Sequence, residues 1–302
     1  MSQTKRPKQN SCVSFSRPAG VGRPAGATFC PPRPVAKRIV IKIGSNVIAS
    51  REKGLDEKRM EGIAFEIAEM QQEGVDIFIV SSGAILCGTK VLGLLNAPKT
   101  LAMKQAAAAV GQSRLMWAYE RLFSQHQIKV AQILLTRSDL ENKTRLLNAR
   151  NTLLALLKNQ VLPIINENDT VATEEIRFGD NDALAGRVAH LIGASLLVIL
   201  SDVDGLYTKD PRTTKTAERI AVVEKVTRKI ETMVGGLPRP GQALAQSKTG
   251  GTGGMASKVA TAKRVSALGI TTWVLNGTRP GLIKMAFQGE AVGTIFLPKP
   301  KS

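Results

Sequence analysis

Three groups of residues have the types and spacing to do phosphate and carboxylate chemistry. The first is a pair of acid-amide clusters, Asn166-Glu167-Asn168-Asp169 and Asp180-Asn181-Asp182, that bracket a short segment just after the apolar run 161–165. Asn and Asp clusters commonly make solvated turns, but two of them around one segment at the end of a buried strand suit a site that holds something polar. Open parallel sheets bind ligands outside the carboxyl ends of their strands. The second is Lys42, which interrupts Ile39-Val-Ile-Lys-Ile43 two residues before the turn Gly44-Ser45. Its long stem brings an ammonium to phosphate oxygens held by the N–H groups of such a turn; the alternative is a strand-edge lysine that snorkels to solvent. A fully buried strand does not otherwise accept an unpaired charge. The third is Gly250-Gly-Thr-Gly-Gly-Met-Ala-Ser-Lys258, ahead of a helix. Glycines let backbone amides close on phosphate oxygens, the helix start favours negative charge, and Lys258 is aimed at the same anion; a flexible linker is the other reading. The run is not a Walker loop, since the pattern GxxxxGK[ST] is absent. Ser201-Asp202-Val-Asp204-Gly205 ends a further strand, where it either contacts a nucleotide or turns the chain.

These groups need a scaffold, and the hydrophobic pattern supplies one. Strands are expected at 38–43, 75–80, 130–135, 161–165, 196–200 and 271–275, each a short run rich in Val, Ile and Leu. Between them, helical spacing marks 56–72, where Ile63, Ile67 and Met70 recur near i, i+4, i+7, then the alanine-rich 100–126 as one helix or a helix pair. Further helices are expected at 146–159, 184–192 and 259–268. Such alternation predicts an α/β fold, a mostly parallel central sheet sandwiched by helices.

Composition narrows the class. Hydrophobic residues make up 43% of the 302, enough for a buried core, and aromatics only 4%, so that core is aliphatic. No apolar run approaches the ~18 residues of a membrane span. Cys12, Cys30 and Cys87 show no metal spacing and leave an odd count, which fits a reducing, cytoplasmic compartment. The net charge is +18, but residues 1–38 hold eight Lys/Arg and no acid, the first being Glu52. No basic run is interleaved with aromatics, so the charge reads as a solvated surface and a basic tail that attracts anionic substrates, and nucleic acid is not the expected partner. Residues 1–38, rich in Pro and Gly, are expected to be a disordered extension. Their acid-free, Arg-rich composition also fits an organellar transit peptide, although six prolines work against the amphipathic helix of such a leader.

Taken together, Val40-Ile-Lys-Ile-Gly-Ser45, Val80-Ser-Ser-Gly-Ala84, Ala109-Val-Gly-Gln-Ser-Arg114, Leu135-Thr-Arg137, the two acid-amide clusters, Gly205-Leu-Tyr-Thr-Lys-Asp-Pro211 and Gly251-Thr-Gly-Gly-Met…Lys258 resemble the amino-acid kinase family. Within it, the paired clusters resemble the branch that phosphorylates glutamate, as against acetylglutamate, aspartate, carbamate or uridylate. The resemblance implies a kinase domain over 39–302 with no PUA domain after it, and transfer of the ATP γ-phosphoryl group to the γ-carboxylate of L-glutamate, the first step of proline biosynthesis. It implies that Lys42 and Lys258 stabilise the transferring group and that Asp182 organises the centre. Ser82, Asp169 and Asn181 would hold glutamate, with Asp169 the partner of its α-ammonium; Gly44 and Gly83 would line the centre. Lys42, Gly44, Ser201, Asp202 and the loop Thr252, Gly253, Gly254, Met255, Ala256, Ser257, Lys258 would hold ATP, with Mg²⁺ bridging its phosphates and taking few protein ligands. Proline as feedback inhibitor, a homo-oligomer and a separate glutamyl-phosphate reductase downstream are further implications.

The chemistry agrees with the residues present. A substrate γ-carboxylate, with a pKa near ~4.3, is already ionised at neutral pH and needs no general base; His126 and His190, the two histidines, read as structural members of helices. Catalysis would be positioning plus electrostatic stabilisation. The stretch 236–250 is long for the approach to a glycine loop. A catalytically silent, ligand-sensing or nucleic-acid-binding relative is the competing reading.

Overall fold

A run of β-branched residues around Lys42 forms β1 (Arg38–Ile43), the strand on which the site is built. In the computed structural model, which describes residues 38–50, 52–172, 181–235 and 254–300, the chain then alternates helices and strands. After β1 come α1 (Ser45–Ile48), the short hairpin β2 (Ala49–Ser50) and β3 (Gly54–Leu55), α2 (Glu57–Gln72) and β4 (Asp76–Ser81). Next are α3 (Ala84–Val91), α4 (Leu101–Ser124), β5 (Lys129–Leu135), α5 (Arg137–Glu141), α6 (Lys143–Lys158) and β6 (Val161–Glu167). The remainder is α7 (Asn181–Leu191), β7 (Leu196–Ser201), β8 (Val222–Val223), α8 (Arg228–Met233), α9 (Met255–Ser266), β9 (Thr271–Asn276), α10 (Leu282–Phe287) and β10 (Thr294–Phe296).

Among the described residues, eight strands form one sheet in the order β5-β6-β4-β1-β7-β9-β10-β8. The first six are parallel, and β10 runs antiparallel to β9 with β8 parallel to β10. Strand order reverses at β1: the chain builds outward through β4 on one side and returns through β7 on the other. A crevice at the carboxyl ends of β1, β4, β6 and β7 follows from that reversal. Residues alternate across β1, so that Ile39, Ile41 and Ile43 pack with α2, α4 and α10 while Val40 faces α7 and α9. By the same period, Lys42 points to the α7 and α9 side.

Every strand expected from the sequence is present, and three boundaries differ in ways that matter for the site. β6 runs on through Asn166 and Glu167, because both backbones pair with Leu134 and Leu135 of β5. Those two polar residues are therefore buried strand ends and not an open loop. α7 begins at Asn181, which places Asn181 and Asp182 in its first turn, where a carboxylate meets the positive end of the helix. α9 begins at Met255, so Met255, Ala256, Ser257 and Lys258 form its first turn where a glycine loop was expected. The stretch 100–126, expected as one helix or a pair, holds the single helix α4 (Leu101–Ser124), capped by the Thr100 hydroxyl. The expectations for residues 1–37, Asp180, Thr252, Gly253 and the stretch 236–250 lie outside the described residues.

Helix α3, which starts directly after Ser82-Gly83, lies on α4 at backbone contact. A Cβ placed on Gly88 would lie 1.7 Å from the Ala107 carbonyl oxygen, and one on Gly111 would lie 1.8 Å from that of Ala84. No side chain can give way there, since the obstacle in both cases is backbone. Gly111→Ala should therefore destabilise the protein by about 3 kcal/mol or more, the upper end of overpacking costs, read as a lowered urea midpoint. A midpoint within error of the parent would mean that the two helices can separate without loss.

Candidate functional site

The carboxyl ends of four parallel strands and the amino ends of two helices meet around one carboxylate. Asp182, fully buried in the first turn of α7, receives Lys42 Nζ at 2.6 Å on Oδ1 and Lys258 Nζ at 3.0 Å on Oδ2. Lys42 is 4% and Lys258 3% exposed, so the three charges are shielded from water. Two ammoniums converge on one carboxylate at the end of β1, in a setting where Coulomb interactions are strong. An anion entering the crevice is the group that such an arrangement attracts. The alternative reading of Lys42, a snorkelling edge lysine, is excluded by its burial and its partner.

Gly44 follows β1 and donates its N–H to the Leu200 carbonyl at 3.0 Å. A Cβ here would stand 3.0 Å from that same oxygen and 3.9 Å from Lys42 Nζ, so glycine keeps the β1–β7 crevice open beside the ammonium. At the end of β7, Ser201 Oγ donates to Asp202 Oδ1 at 3.2 Å, and Asn46 on α1 donates to Asp202 Oδ2 at 2.9 Å. Burial pushes the Asp202 carboxyl up, but the bonds from Asn46, its own N–H and Ser201, with Lys258 nearby, bring it below the ordinary carboxylate range. Asp204 is held in turn by Asn276 Nδ2 at 2.9 Å and by Arg279 at 3.3 Å. The first turn of α9, with no acid in it and Gly254 at its cap, directs backbone N–H groups at the same edge.

On the other side of Lys42, a chain of amides lines the ends of β4 and β6. Asn181 Nδ2 lies 2.6 Å from the Ser81 carbonyl oxygen, 2.8 Å from Asn166 Oδ1 and 3.1 Å from Ser82 Oγ. Asn166 is 2% exposed; its Oδ1 also accepts from Glu167 N–H at 2.8 Å, and its Nδ2 donates to Gln112 Oε1 at 2.8 Å. Gln112, 8% exposed on α4, has no hydrogen-bond partner for its buried Nε2 among the described residues. Such a donor costs free energy unless something accepts from it. Gln112 lines a cleft of about 550 Å³ together with Ala84, Glu167, Asn168 and Asp169. An oxygen of a bound molecule in that cleft would meet the orphaned donor. Gly83, at φ +97°, occupies the left-handed region and turns the chain from β4 into α3.

Of the residues singled out in the sequence, Lys42, Gly44, Ser82, Gly83, Asp169, Asn181, Asp182, Ser201, Asp202, Gly254 and Lys258 therefore fall along one edge of the sheet, while Thr252 and Gly253 lie outside the described residues. Asn46, Gln112 and Asn166 belong to the same constellation and carried no assigned role from sequence. Gln112 sits inside the quoted run Ala109–Arg114, but a buried glutamine in a helix gives no signal of its direction. The histidines stand apart: His126 packs edge-on against Phe65, and His190 lies exposed on the last turn of α7, the end away from Asp182. Cys87 is buried on α3, and burial pushes its thiol up against the pull of Arg114, so it is not a poised nucleophile. Among the described residues no group of three or more His, Cys, Asp or Glu is placed to hold a metal ion, and no helix is long and apolar enough to cross a membrane.

Comparison with known proteins gives a consistent picture. The model of the amino acid kinase family matches residues 37–276. Glutamate 5-kinase of Geobacter sulfurreducens is 50% identical over 266 residues, covering 88% of this chain and 69% of that protein. Glutamate 5-kinase of Moorella thermoacetica is 44% identical over 264 residues, covering 87% and 68%. Among solved structures, UMP kinase from Bacillus anthracis superposes with a TM-score of 0.56 at 17% identity, covering 88% of this chain and 97% of that one. A T. acidophilum isopentenyl phosphate kinase superposes at 0.57 and 15% identity, covering 86% and 99%. These two share the fold.

Proposed function

The chain belongs to the amino acid kinase family, and from that premise we infer that it transfers the γ-phosphoryl group of ATP to the γ-carboxylate of L-glutamate, giving L-glutamyl 5-phosphate. The observation that carries this reading is the buried Lys42–Asp182–Lys258 triad, set between an amide-lined cleft and the phosphate-facing start of α9. It is supported by glutamate 5-kinases about half identical over most of the chain.

In this reading Lys42 and Lys258 approach the transferring phosphoryl group from two elements, and Asp182 fixes both ammoniums before substrate arrives. Charge that spreads over phosphoryl oxygens in the transition state then meets donors already in place, with no reorganisation needed at that moment. The acceptor carboxylate is ionised at neutral pH, so no residue has to remove a proton, which fits a centre built of lysines, amides and one lysine-bound carboxylate. Ser82, Asn181 and Asp169 hold glutamate, Asp169 taking its ammonium, and Gln112 Nε2 donates to one of its carboxylates. Ser201, Asp202 and residues 252–258 hold ATP at the β7 side, and Gly44 and Gly83 line the gap between the two ligands. Both oxygens of Asp182 are engaged by lysines, so Mg²⁺ fits as an ion carried in on the nucleotide phosphates with few protein ligands. There it would neutralise phosphate charge.

An acyl phosphate is labile, and reduction is the reaction class that would consume it. A kinase unit over 39–302, proline as a feedback ligand, a homo-oligomer and a cytoplasmic setting rest on the resemblance to the family.

The test is trapping of the acyl phosphate with hydroxylamine in the presence of ATP and Mg²⁺, comparing L-glutamate, aspartate, N-acetylglutamate and no acceptor. The expected result is hydroxamate with L-glutamate alone. Hydroxamate with another acid would keep the kinase and overturn the acceptor; none with any acid, from folded protein that binds ATP, would favour the silent ligand-binding relative.

A further inference from the structure

The substrate-side serine is gripped from behind by a residue that lines no part of the crevice. Strand β4 ends at Ser81, and by strand alternation its side chain faces the α2 and α4 side while Ser82 follows at the crevice. Ser81 Oγ lies 2.9 Å from the hydroxyl of Tyr119 on α4 and 3.2 Å from the Ser82 carbonyl oxygen. Tyr119 is 2% exposed and its ring stacks on Phe123 with centroids 6.2 Å apart. Burial pushes the Tyr119 phenol up against the opposing hydrogen bond of Ser81, so the group stays protonated. A protonated phenol beside a serine that itself has a carbonyl to donate to fixes the direction of the chain: Tyr119 O–H donates to Ser81 Oγ, and Ser81 O–H donates to the Ser82 carbonyl.

The peptide geometry turns that chain into control of the site. A trans peptide is planar with its carbonyl and N–H opposed, so holding the Ser82 carbonyl towards Ser81 turns the Gly83 N–H the other way. The preceding peptide is held too, because the Ser81 carbonyl accepts from Asn181 at 2.6 Å and the Ser82 N–H donates to the Ile43 carbonyl at 3.1 Å. Ser82 is thus clamped on both sides, and one of its clamps originates in α4. Asn181 adds a reason that the clamp matters. Its amide nitrogen carries two hydrogens and faces three acceptors, and the two at shorter distance, the Ser81 carbonyl and Asn166 Oδ1, are tied respectively to the Tyr119-held turn and to Gln112. With those two satisfied, the Ser82 hydroxyl is left to serve the bound acid.

We propose that Tyr119 is a positioning residue for acceptor binding, acting through Ser81 to fix the Ser82–Gly83 peptide. The proposal rests on the acceptor site assigned above, and it goes beyond that assignment by placing a determinant of acceptor affinity in the core behind it. Tyr119→Phe removes one oxygen and keeps the ring packing, so the fold should survive. The expected result is a KM for the acceptor raised about 3- to 10-fold, the range for losing one neutral hydrogen bond, with kcat within about 2-fold and the KM for ATP unchanged. Ser81→Ala should do the same, and the double variant Tyr119→Phe/Ser81→Ala should be no worse than Ser81→Ala alone, because the second deletion has nothing left to act through. An unchanged acceptor KM in Tyr119→Phe, additive effects in the double variant, or acceptor and ATP KM rising together with a fall in Tm would each overturn it. Every arm uses whichever acid the parent enzyme phosphorylates best, so an error in the glutamate assignment appears in the parent and an error in the relay only in the variants.

Discussion

Lys258→Ala should lower kcat by about 10²- to 10³-fold, the scale seen when one preorganised donor to a developing negative charge is deleted. Lys258 Nζ is held 3.0 Å from Asp182 in a site from which water is excluded, so its charge is neither screened nor replaced by solvent. The loss should fall mainly on kcat, since the interaction strengthens as charge moves onto the transferring oxygens, with a smaller rise in the KM for ATP, which Lys258 also holds. Folding should be retained, because Asp182 keeps Lys42 at 2.6 Å and so is not left without a counter-charge. Lys258→Arg should not restore the rate, because a bulky planar fork cannot occupy the place of a compact ammonium. Steady-state kinetics with the unfolding midpoint as control settle the matter. A kcat within about 10-fold of the parent would remove Lys258 from the transfer step.

The second large effect is on stability as much as on rate. Asp182→Ala removes the carboxylate on which both ammoniums converge, at a place where both are nearly inaccessible to water. Removing one partner of a buried ionic group costs about 3–5 kcal/mol, and here the group removed is shared by two cations. Asp182→Ala should therefore be much less stable in urea and inactive. Combining it with Lys42→Met should recover much of the stability and none of the activity, since the repulsion is relieved while the centre is not rebuilt. If Asp182→Ala unfolded at the parent midpoint, the triad would not be the buried charge centre described above.

Several parts of this arrangement were legible in the residues. A lysine inside an aliphatic strand is costly unless it has a partner, which singled out Lys42. Glycines ahead of a helix, with a lysine at its start, singled out Lys258, although the helix itself begins at Met255, earlier than its apolar residues suggest. Other parts were not. Asn166 and Glu167 read as loop residues because carboxamides and carboxylates are rare inside strands; only the pairing of β6 with β5 and the Gln112 side chain explain their burial. Tyr119 and Gln112 look like ordinary members of an amphipathic helix, and helical periodicity tells which face is buried without telling what a polar group on that face will meet.

The sequence by itself determined the local elements, their parallel α/β character and the residue types able to bear charge, because backbone propensity and apolar periodicity act over a few residues. It did not determine that Lys258 and Asp182, 76 positions apart, share one ion pair, or that Asn181 reaches back 100 positions to Ser81. Those contacts follow from strand order, which places β1 between β4 and β7. Order is settled by how two separate cores close on the faces of the sheet, a property of the whole chain that no short window contains.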